Sequence, residues 1–544
     1  MNTKIDAFTQ EILNNAFKSI ADEMAIIEYR SSFSPVIREE HDFNTALLDS
    51  KGDLVSASEQ NPSMLGVMQS SLRILIAENG PLKPGDAMIA NHPYLGGSHT
   101  PDIQIFAPAY LGETLVGYTG AIAHHIDIGG RFVGTEHPET TEIYQEGLIF
   151  PGILLVDAGK RNESLFRFIK ANVRDPRAML GDLDAQLAAC QMGAVQLAEL
   201  SQRFGADTVR DAMQNLLDTT AARARIIFES WESDGAAAAE GYLDNGGPHS
   251  PEPRRITVAT HAHDGTLVMD LTGTDPQMDV GLNVPYASTL AALHYAVREF
   301  TDLPMNEGLT RHIEVRAPEG SLLNPIFPAP TVARFMAQQR LASVAVEALG
   351  NLRRELAVSA SSVCSAAFYL QTTDPRTGRS IIFTDYFGGG GGARPDAPGD
   401  HAVDSYTGNC AMVPIEICES EFPWVIERSE LAEGSGGEGK YSGGMGLRRD
   451  FRLLAERADG ICYIDQTAEI GRASGREGGG RGAAASFKIF RANGGGVDVL
   501  TGKLSVRLYK GDVLSVTTAG GGGYGSPERE TVTEPSPQRE DVMV

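Results

Sequence analysis

Apolar residues recur at intervals of three and four from the start of the chain. Ile5, Phe8, Ile12, Ala16, Ile20, Met24 and Ile27 fall on one stripe, which predicts an amphipathic helix ended by Ser34-Pro35. The period then shortens. Residues 45–49 and 54–56 flank Lys51-Gly52-Asp53, the pattern of a hairpin, and are followed by a helix over 64–78 and a turn over 81–85. Two longer apolar runs, 103–110 and 114–124, joined at Leu111-Gly112-Glu113, predict an antiparallel pair. Helical spacing returns between residues 163 and 232. Leu183, Leu187, Cys190 and Leu197 mark one helix; Val209, Met213, Leu216, Thr220 and Ile227 mark another. Residues 233–252 are small and turn-rich around Asp244-Asn245-Gly246-Gly247-Pro248 and read as a linker. Strands over 255–262 and 267–272, around a turn at 263–266, precede helices near 289–300 and 338–351. Beyond them the chain alternates short strands with glycine runs.

These patterns predict a multi-domain, mixed α/β protein. Its parts are an α+β unit over residues 1–160, a helical region and linker over 161–252, an α+β region over 253–355, a β-rich, glycine-heavy region over 356–526, and a polar, disordered tail over 527–544. A length of 544 residues exceeds a single ordinary core, and 42% hydrophobic with 22% charged residues is the balance of a folded soluble protein. Glycine is in excess, 60 residues, and most of the excess lies in the second half.

The formal charge of −25, from 71 acidic and 46 basic residues, repels phosphate backbones and anionic lipid and argues against nucleic acid and membrane partners. The N-terminus lacks the apolar core of a signal peptide, and no run approaches the ~18–20 apolar residues of a spanning helix. Five dispersed cysteines without a CxxC pair indicate neither a disulfide framework nor a zinc–thiolate site. A cytoplasmic location is the expectation.

The chemistry concentrates in two runs, Asn91-His92-Pro93-Tyr94-Leu95-Gly96-Gly97-Ser98-His99-Thr100-Pro101-Asp102 and Ala123-His124-His125-Ile126-Asp127-Ile128-Gly129-Gly130. Imidazole and carboxylate together form a ligand set suited to Mn²⁺, Fe²⁺ or Zn²⁺. His99-x-x-Asp102 leaves a glycine turn, so both side chains can converge on one ion, and the hairpin returns His124 beside them. The alternative is a group of turn histidines bonded to backbone. His125 and Asp127 are candidate partners for the outer N–H groups of metal-bound imidazoles. Glu146 is a candidate base, with a helix-capping or ion-pair role as its alternative.

Those two runs resemble the hydantoinase B/oxoprolinase family. So do Tyr144-Gln145-Glu146-Gly147-Leu148, Gly181-Asp182-Leu183-Asp184-Ala185-Gln186, Asn324-Pro325-Ile326-Phe327-Pro328-Ala329-Pro330 and Gly520-Gly521-Gly522-Gly523-Tyr524-Gly525. The family includes subunits of N-methylhydantoinases, 5-oxoprolinases, caprolactamases and acetone or acetophenone carboxylases.

The resemblance implies a division of labour. A hydantoinase A-like partner binds ATP-Mg and phosphorylates the carbonyl oxygen of a small cyclic amide, and this chain completes ring opening at one divalent transition metal (Zn, Mn or Fe). It implies Asp42, His99, Asp102 and His124 as ligands, with His124 and Asp102 catalytic, in a hetero-oligomer such as a heterotetramer. ATP-dependent carboxylation of a ketone is the alternative reaction. Two positions depart from the family pattern: Met64 stands where a histidine is frequent, and His92 where an aspartate is.

Gly434-Ser435-Gly436-Gly437-Glu438-Gly439-Lys440-Tyr441 imitates a phosphate-binding loop. However, Tyr441 replaces the hydroxyl residue, and Gly443, Gly444 and Gly446 forbid the following helix, so no nucleotide site is expected there. The remaining glycine runs read as tight turns or close backbone approaches. Arg334, Asn283 and Asn306 are candidate substrate contacts, with structural roles as their alternative.

Overall fold

The computed structural model describes residues 5–527, apart from residues 135, 136 and 138; the predicted tail lies outside the described residues from 528 onward. The fold is mixed α/β and multi-domain, with four sheets among the described residues.

The first helix, α1 (Ala7–Ser31), starts at Asp6, whose carboxylate accepts from the backbone N–H groups of Phe8 and Thr9. Its buried stripe is Leu13, Phe17, Ile20 and Met24, whereas Phe8 is 76% exposed. The predicted stripe therefore begins too early, because α1 enters the core only where it meets the sheet and the long helix over Pro176–Phe204. After α2 (Pro35–Arg38) come strands β1 (Phe43–Asp49) and β2 (Leu54–Ala57), helix α3 (Val67–Asn79), and strands β3 (Ala87–Ala90), β4 (Asp102–Leu111), β5 (Thr114–His124), β6 (Pro151–Asp157) and β7 (Lys160–Arg161). They form one antiparallel sheet in the order β2-β1-β5-β4-β3-β6-β7.

Both faces of this sheet are covered. Leu47, Ile103, Ile105 and Ala121 pack with Leu13, Phe17 and the helix residues Leu183, Leu187 and Cys190; Leu48, Phe106 and Ile122 pack with Met68 and Leu72 on the other side. The alternation of side chains along a strand divides the residues between the two cores.

Helices α4 (Glu163–Asn172), α5 (Pro176–Phe204) and α6 (Ala206–Trp231) follow as expected. The segment expected to be a linker is partly a strand. Residues 236–243 form an edge strand, β8 (Ala236–Leu243), paired with β9 (Arg254–His263), which continues to β10 (Thr266–Asp270) and, in parallel, β11 (Ile313–Arg316). Four consecutive alanines carry no apolar/polar contrast, so pairing with β9 rather than periodicity makes this strand. Helices α7 (Tyr286–Thr301), α8 (Glu307–Thr310) and α9 (Phe335–Leu352) lie between. Helix α9 is central: even its Arg334-side residues Gln338, Gln339 and Arg340 are buried.

The C-terminal part contributes β12 (Ala366–Thr373), β13 (Ser380–Phe387), α10 (Ile415–Glu421), β14 (Trp424–Leu431), β15 (Leu447–Leu453), β16 (Arg457–Tyr463), β17 (Ser486–Phe490), β18 (Val497–Leu500), β19 (Leu504–Tyr509) and β20 (Val513–Thr517). Sheets β13-β12-β16-β19 and β14-β15-β20-β17-β18 share an aromatic core built on Phe368, Phe383, Trp424 and Phe451. The opposite face of the first of these sheets, with Ala367, Tyr369 and Tyr463, joins the core around α9.

The glycine runs are close backbone approaches. Extended segments near residues 390, 400, 437, 444, 480 and 521 lie side by side and bond laterally: Gly390 N–H to Ala519 O, Gly444 N–H to Gly391 O and Gly521 N–H to Gly444 O. A Cβ on Gly444 would sit 1.9 Å from the Asp400 carbonyl oxygen, so only glycine permits this spacing. The loop-like run at 434–441 is part of this bundle, where Tyr441 bridges to Tyr524.

Candidate metal centre

Asn91 shapes the segment that carries His99. Its side-chain amide donates to Thr100 O and Leu148 O and accepts from the Phe150 N–H, which ties both ends of the run to the sheet. Gly96, at φ +84°, lets the turn press on α3, where a Cβ would meet Ser70 and Ser71 backbone at 2.6 Å. Asp102 opens β4 and His124 closes β5, directly opposite one another in register. A hairpin predicted from sequence thus delivers the carboxylate and the second imidazole to one place.

The three side chains converge. His99 Nε2 lies 2.8 Å from Asp102 Oδ1, and His124 Nδ1 lies 3.1 Å from the same oxygen and 3.2 Å from His99 Nε2. All three residues are buried, and together they could hold a metal ion. Ligand atoms on a tetrahedral ion with bonds of ~2.05 Å sit roughly 3.3 Å apart, close to these separations.

The outer ring nitrogens give an independent test of fit. His99 Nδ1 faces the Val332 carbonyl, to which it can only donate, so the proton sits there and the inward Nε2 keeps its lone pair. His124 Nε2 is 3.2 Å from the Tyr369 hydroxyl, a partner that can accept its proton and leave Nδ1 bare. Burial holds His99 down to about 4, so it is neutral near pH 7, the state a metal ligand requires. Burial opposes the charge on Asp102, yet its polar neighbours keep its carboxyl well below the usual range, the Arg334 guanidinium among them, which donates to Asp102 Oδ2 at 2.6 Å. The residues fit a divalent cation.

Asp42 borders the same cavity, together with Arg334, Gln338, Met64, Tyr386 and Cys410. Its carboxylate accepts from Asn61, its carbonyl accepts from the His124 N–H at 3.0 Å, and burial raises its pKa to about 6. Asp42 thus stands beside the converging three rather than inside that group.

The remaining predicted residues lie elsewhere. His125 points to the opposite face of the strand from His124 and meets Gln186 at 2.9 Å, while Asp127 is held by the backbone and guanidinium of Arg174 at 2.7 and 2.8 Å. Neither supports a ligand; adjacent strand residues face opposite ways, and Val332 and Tyr369 are the outer partners instead. Glu146 does not border the cavity. Its carboxylate accepts from the N–H groups of Thr331 and Val332 and the hydroxyl of Thr100, with burial pushing its pKa up to about 8. There it brackets the loop that holds His99, at a distance from the cavity where a base was expected.

Asn283 is also structural. It is fully buried and bonded to Met278, Val280 and Pro330 backbone, with no side on the cavity. Asn306 caps α8 through the Gly308 N–H. Of the departures from family pattern, Met64 lines the cavity, whereas His92 stacks on Phe327 at 6.0 Å. Tyr369 and Tyr386 escape sequence reasoning altogether, since tyrosines in a strand pattern read as core.

Among the described residues, no helix is long and apolar enough to cross a membrane, and the five cysteines are unpaired. A buried two-histidine, one-carboxylate group at the junction of an antiparallel sheet and a β-rich, glycine-heavy half defines the chain as a carrier of a candidate divalent-metal site. Matched over residues 6–527, the chain belongs to the hydantoinase B/oxoprolinase family. It is 32% identical to the B component of a candidate D-/L-hydantoinase from Pseudomonas sp. (strain NS671), covering 97% of this chain and 91% of that one. The crystal structure of an ATP-dependent caprolactamase from Pseudomonas jessenii superposes with a TM-score of 0.88 at 25% identity, over 96% of this chain and 92% of that chain. A nucleotide-free acetone carboxylase shares the fold, with a TM-score of 0.86, 16% identity and 95% and 76% coverage.

Proposed function

We propose that this chain is the metal-bearing subunit of an ATP-dependent enzyme that opens a cyclic amide such as a hydantoin, 5-oxoproline or a lactam, and that a hydantoinase A-like partner carries out the nucleotide chemistry. The observation that carries the reading is the convergence of His99 Nε2, His124 Nδ1 and Asp102 on one buried position beside a cavity, with the outer nitrogen of His99 held by the Val332 carbonyl and that of His124 within reach of the Tyr369 hydroxyl. His99, Asp102 and His124 would hold the cation, with the Asp42 carboxylate beside them on the cavity wall. A divalent ion bound there supplies a Lewis acid and a water acidified toward neutrality.

The chain's own groups do the rest. Arg334 keeps Asp102 charged and brings a buried positive charge to the cavity, suited to a phosphorylated amide oxygen. Glu146 fixes the 331–332 loop and, through it, the His99 ring. An O-phosphorylated amide has lost nitrogen donation into its carbonyl and hydrolyses uselessly in bulk water, so enclosure between two subunits favours a hetero-oligomer with a broad interface.

The test has two parts. Elemental analysis is expected to find one Zn, Mn or Fe per chain, lost in His99→Ala and Asp102→Ala; unchanged content in both removes the site. In the assembled complex, a His124→Ala variant is expected to keep substrate-dependent ADP release and lose ring-opened product. Wild-type levels of both products refute the assignment. Turnover that requires a ketone and bicarbonate replaces hydrolysis with carboxylation.

A further inference from the structure

The face of the C-terminal sheet that covers the metal centre carries three tyrosines. Register places Ala367 of β12 opposite Tyr386 of β13 on one side and Tyr463 of β16 on the other, and Tyr369 lies two residues along on the same face. The small side chain of Ala367 leaves room for the rings around it. They pack edge to face, Tyr369 against Tyr386 and Tyr463 at 6.3 Å each, and Phe335 of α9 closes the group at 6.1 Å from Tyr386. The Tyr369 hydroxyl lies 3.2 Å from His124 Nε2 and hydrogen-bonds the Tyr386 hydroxyl. Tyr386 borders the cavity and Tyr369 does not.

We infer that these two phenols form a directional hydrogen-bond chain from His124 to the substrate cavity, in which Tyr369 positions the imidazole and Tyr386 presents its hydroxyl to an oxygen acceptor of the substrate. This rests on the metal reading above. If His124 Nδ1 holds the cation, its one proton would be on Nε2, facing the Tyr369 oxygen at 3.2 Å. Tyr369 then accepts from the imidazole and donates to the Tyr386 oxygen. A substrate oxygen in the cavity that Tyr386 borders would then take the Tyr386 proton.

Each link polarises the next in a dry environment, so positive charge drawn onto the imidazole strengthens the donor at the far end. The chain also explains why a sheet from the C-terminal half lies over a site built by the N-terminal one. An aromatic wall alone needs rings there and no ordered line of hydroxyls. Tyr386 is thereby a catalytic residue for oxygen-centred chemistry on a cyclic amide, and Tyr369 a positioning residue.

The experiment compares Tyr369→Phe, Tyr386→Phe and, as a packing control on the same sheet face, Tyr463→Phe. Each is first checked by thermal unfolding, then titrated with Zn²⁺ against a competing chelator, and finally assayed with its partner on a cyclic amide. Loss of an outer partner of a metal-bound histidine typically costs 10–100-fold in metal affinity, so Tyr369→Phe is expected to weaken Zn²⁺ binding by about tenfold or more. Tyr386→Phe is expected to bind Zn²⁺ within about twofold of wild type and to lose on the order of 10²-fold in kcat, the usual cost of one transition-state donor. Tyr463→Phe is expected to match wild type in both. If wild type takes up Zn²⁺ and Tyr369→Phe binds it equally tightly, or if Tyr386→Phe turns over at the wild-type rate, the chain is refuted while the metal centre stands. If folded wild type binds none of Zn²⁺, Mn²⁺ and Fe²⁺, the metal centre and the chain fall together.

Discussion

Substitution of Gly444 by alanine tests the account of the glycine bundle. The new Cβ would lie 1.9 Å from Asp400 O and 2.7 Å from Gly391 N, against an ordinary carbon–oxygen contact of roughly 3.3–3.6 Å. The segments must therefore separate by more than an ångström, which breaks the bonds from Gly444 N–H to Gly391 O (2.8 Å) and from Gly521 N–H to Gly444 O (3.0 Å). Two buried backbone bonds lost, each leaving a donor and an acceptor unpaired, cost on the order of 3–6 kcal/mol.

Gly434 is the control. It has φ +72° and nothing within 4 Å of its Cβ position, so Gly434→Ala incurs only left-handed backbone strain of roughly 1–2 kcal/mol. Scanning calorimetry of the full chain reads both variants. At about 2–4 °C per kcal/mol for a cooperative unit of some 200 residues, Gly444→Ala is expected to melt about 6 °C or more below wild type, and below Gly434→Ala. A Gly444→Ala chain that melts with or above Gly434→Ala refutes the close-approach explanation.

Three further predictions follow from buried polar groups. Glu28 is fully buried with no hydrogen-bond partner for either carboxyl oxygen, and burial, then Asp182, raises its pKa well above 4.5. Its contribution to stability is therefore complete below about pH 4.5 and is lost as pH rises toward the folded pKa, at up to ~1.4 kcal/mol per pH unit. Glu28→Gln is expected to melt higher than wild type at pH 7.5 and to flatten the decline from pH 5; parallel melting curves would sink this. Asn283→Ala removes four buried hydrogen bonds and is expected to cost about 2–4 kcal/mol in calorimetry while leaving metal content unchanged; reduced metal with unchanged stability would restore a site role. Glu146→Ala frees the 331–332 loop that positions His99 and is expected to weaken Zn²⁺ binding roughly tenfold in chelator competition, a result that a remote base would not produce.

The geometry legible in the sequence is local. The hairpin that brings Asp102 opposite His124 follows from two alternating runs and a glycine turn, and His99 is tied to Asp102 by three residues of chain. Even the failure of His125 is local, since period-two alternation sends it to the other face. Asp42 is reached only through resemblance, because nothing in the spacing of Arg38 to Phe43 distinguishes a cavity carboxylate from a loop one. The glycine excess is legible as close approach, but not which runs meet.

The groups that set protonation come instead from long-range packing. The Val332 carbonyl and Tyr369 hydroxyl that meet the two outer ring nitrogens are 233 and 245 residues from the histidines they face, and Arg334 is 232 from Asp102. Spacing along a chain encodes direction only over a turn or a strand. Across such separations direction comes from which faces of α9 and β12 pack on the N-terminal sheet, a choice made by the whole core at once.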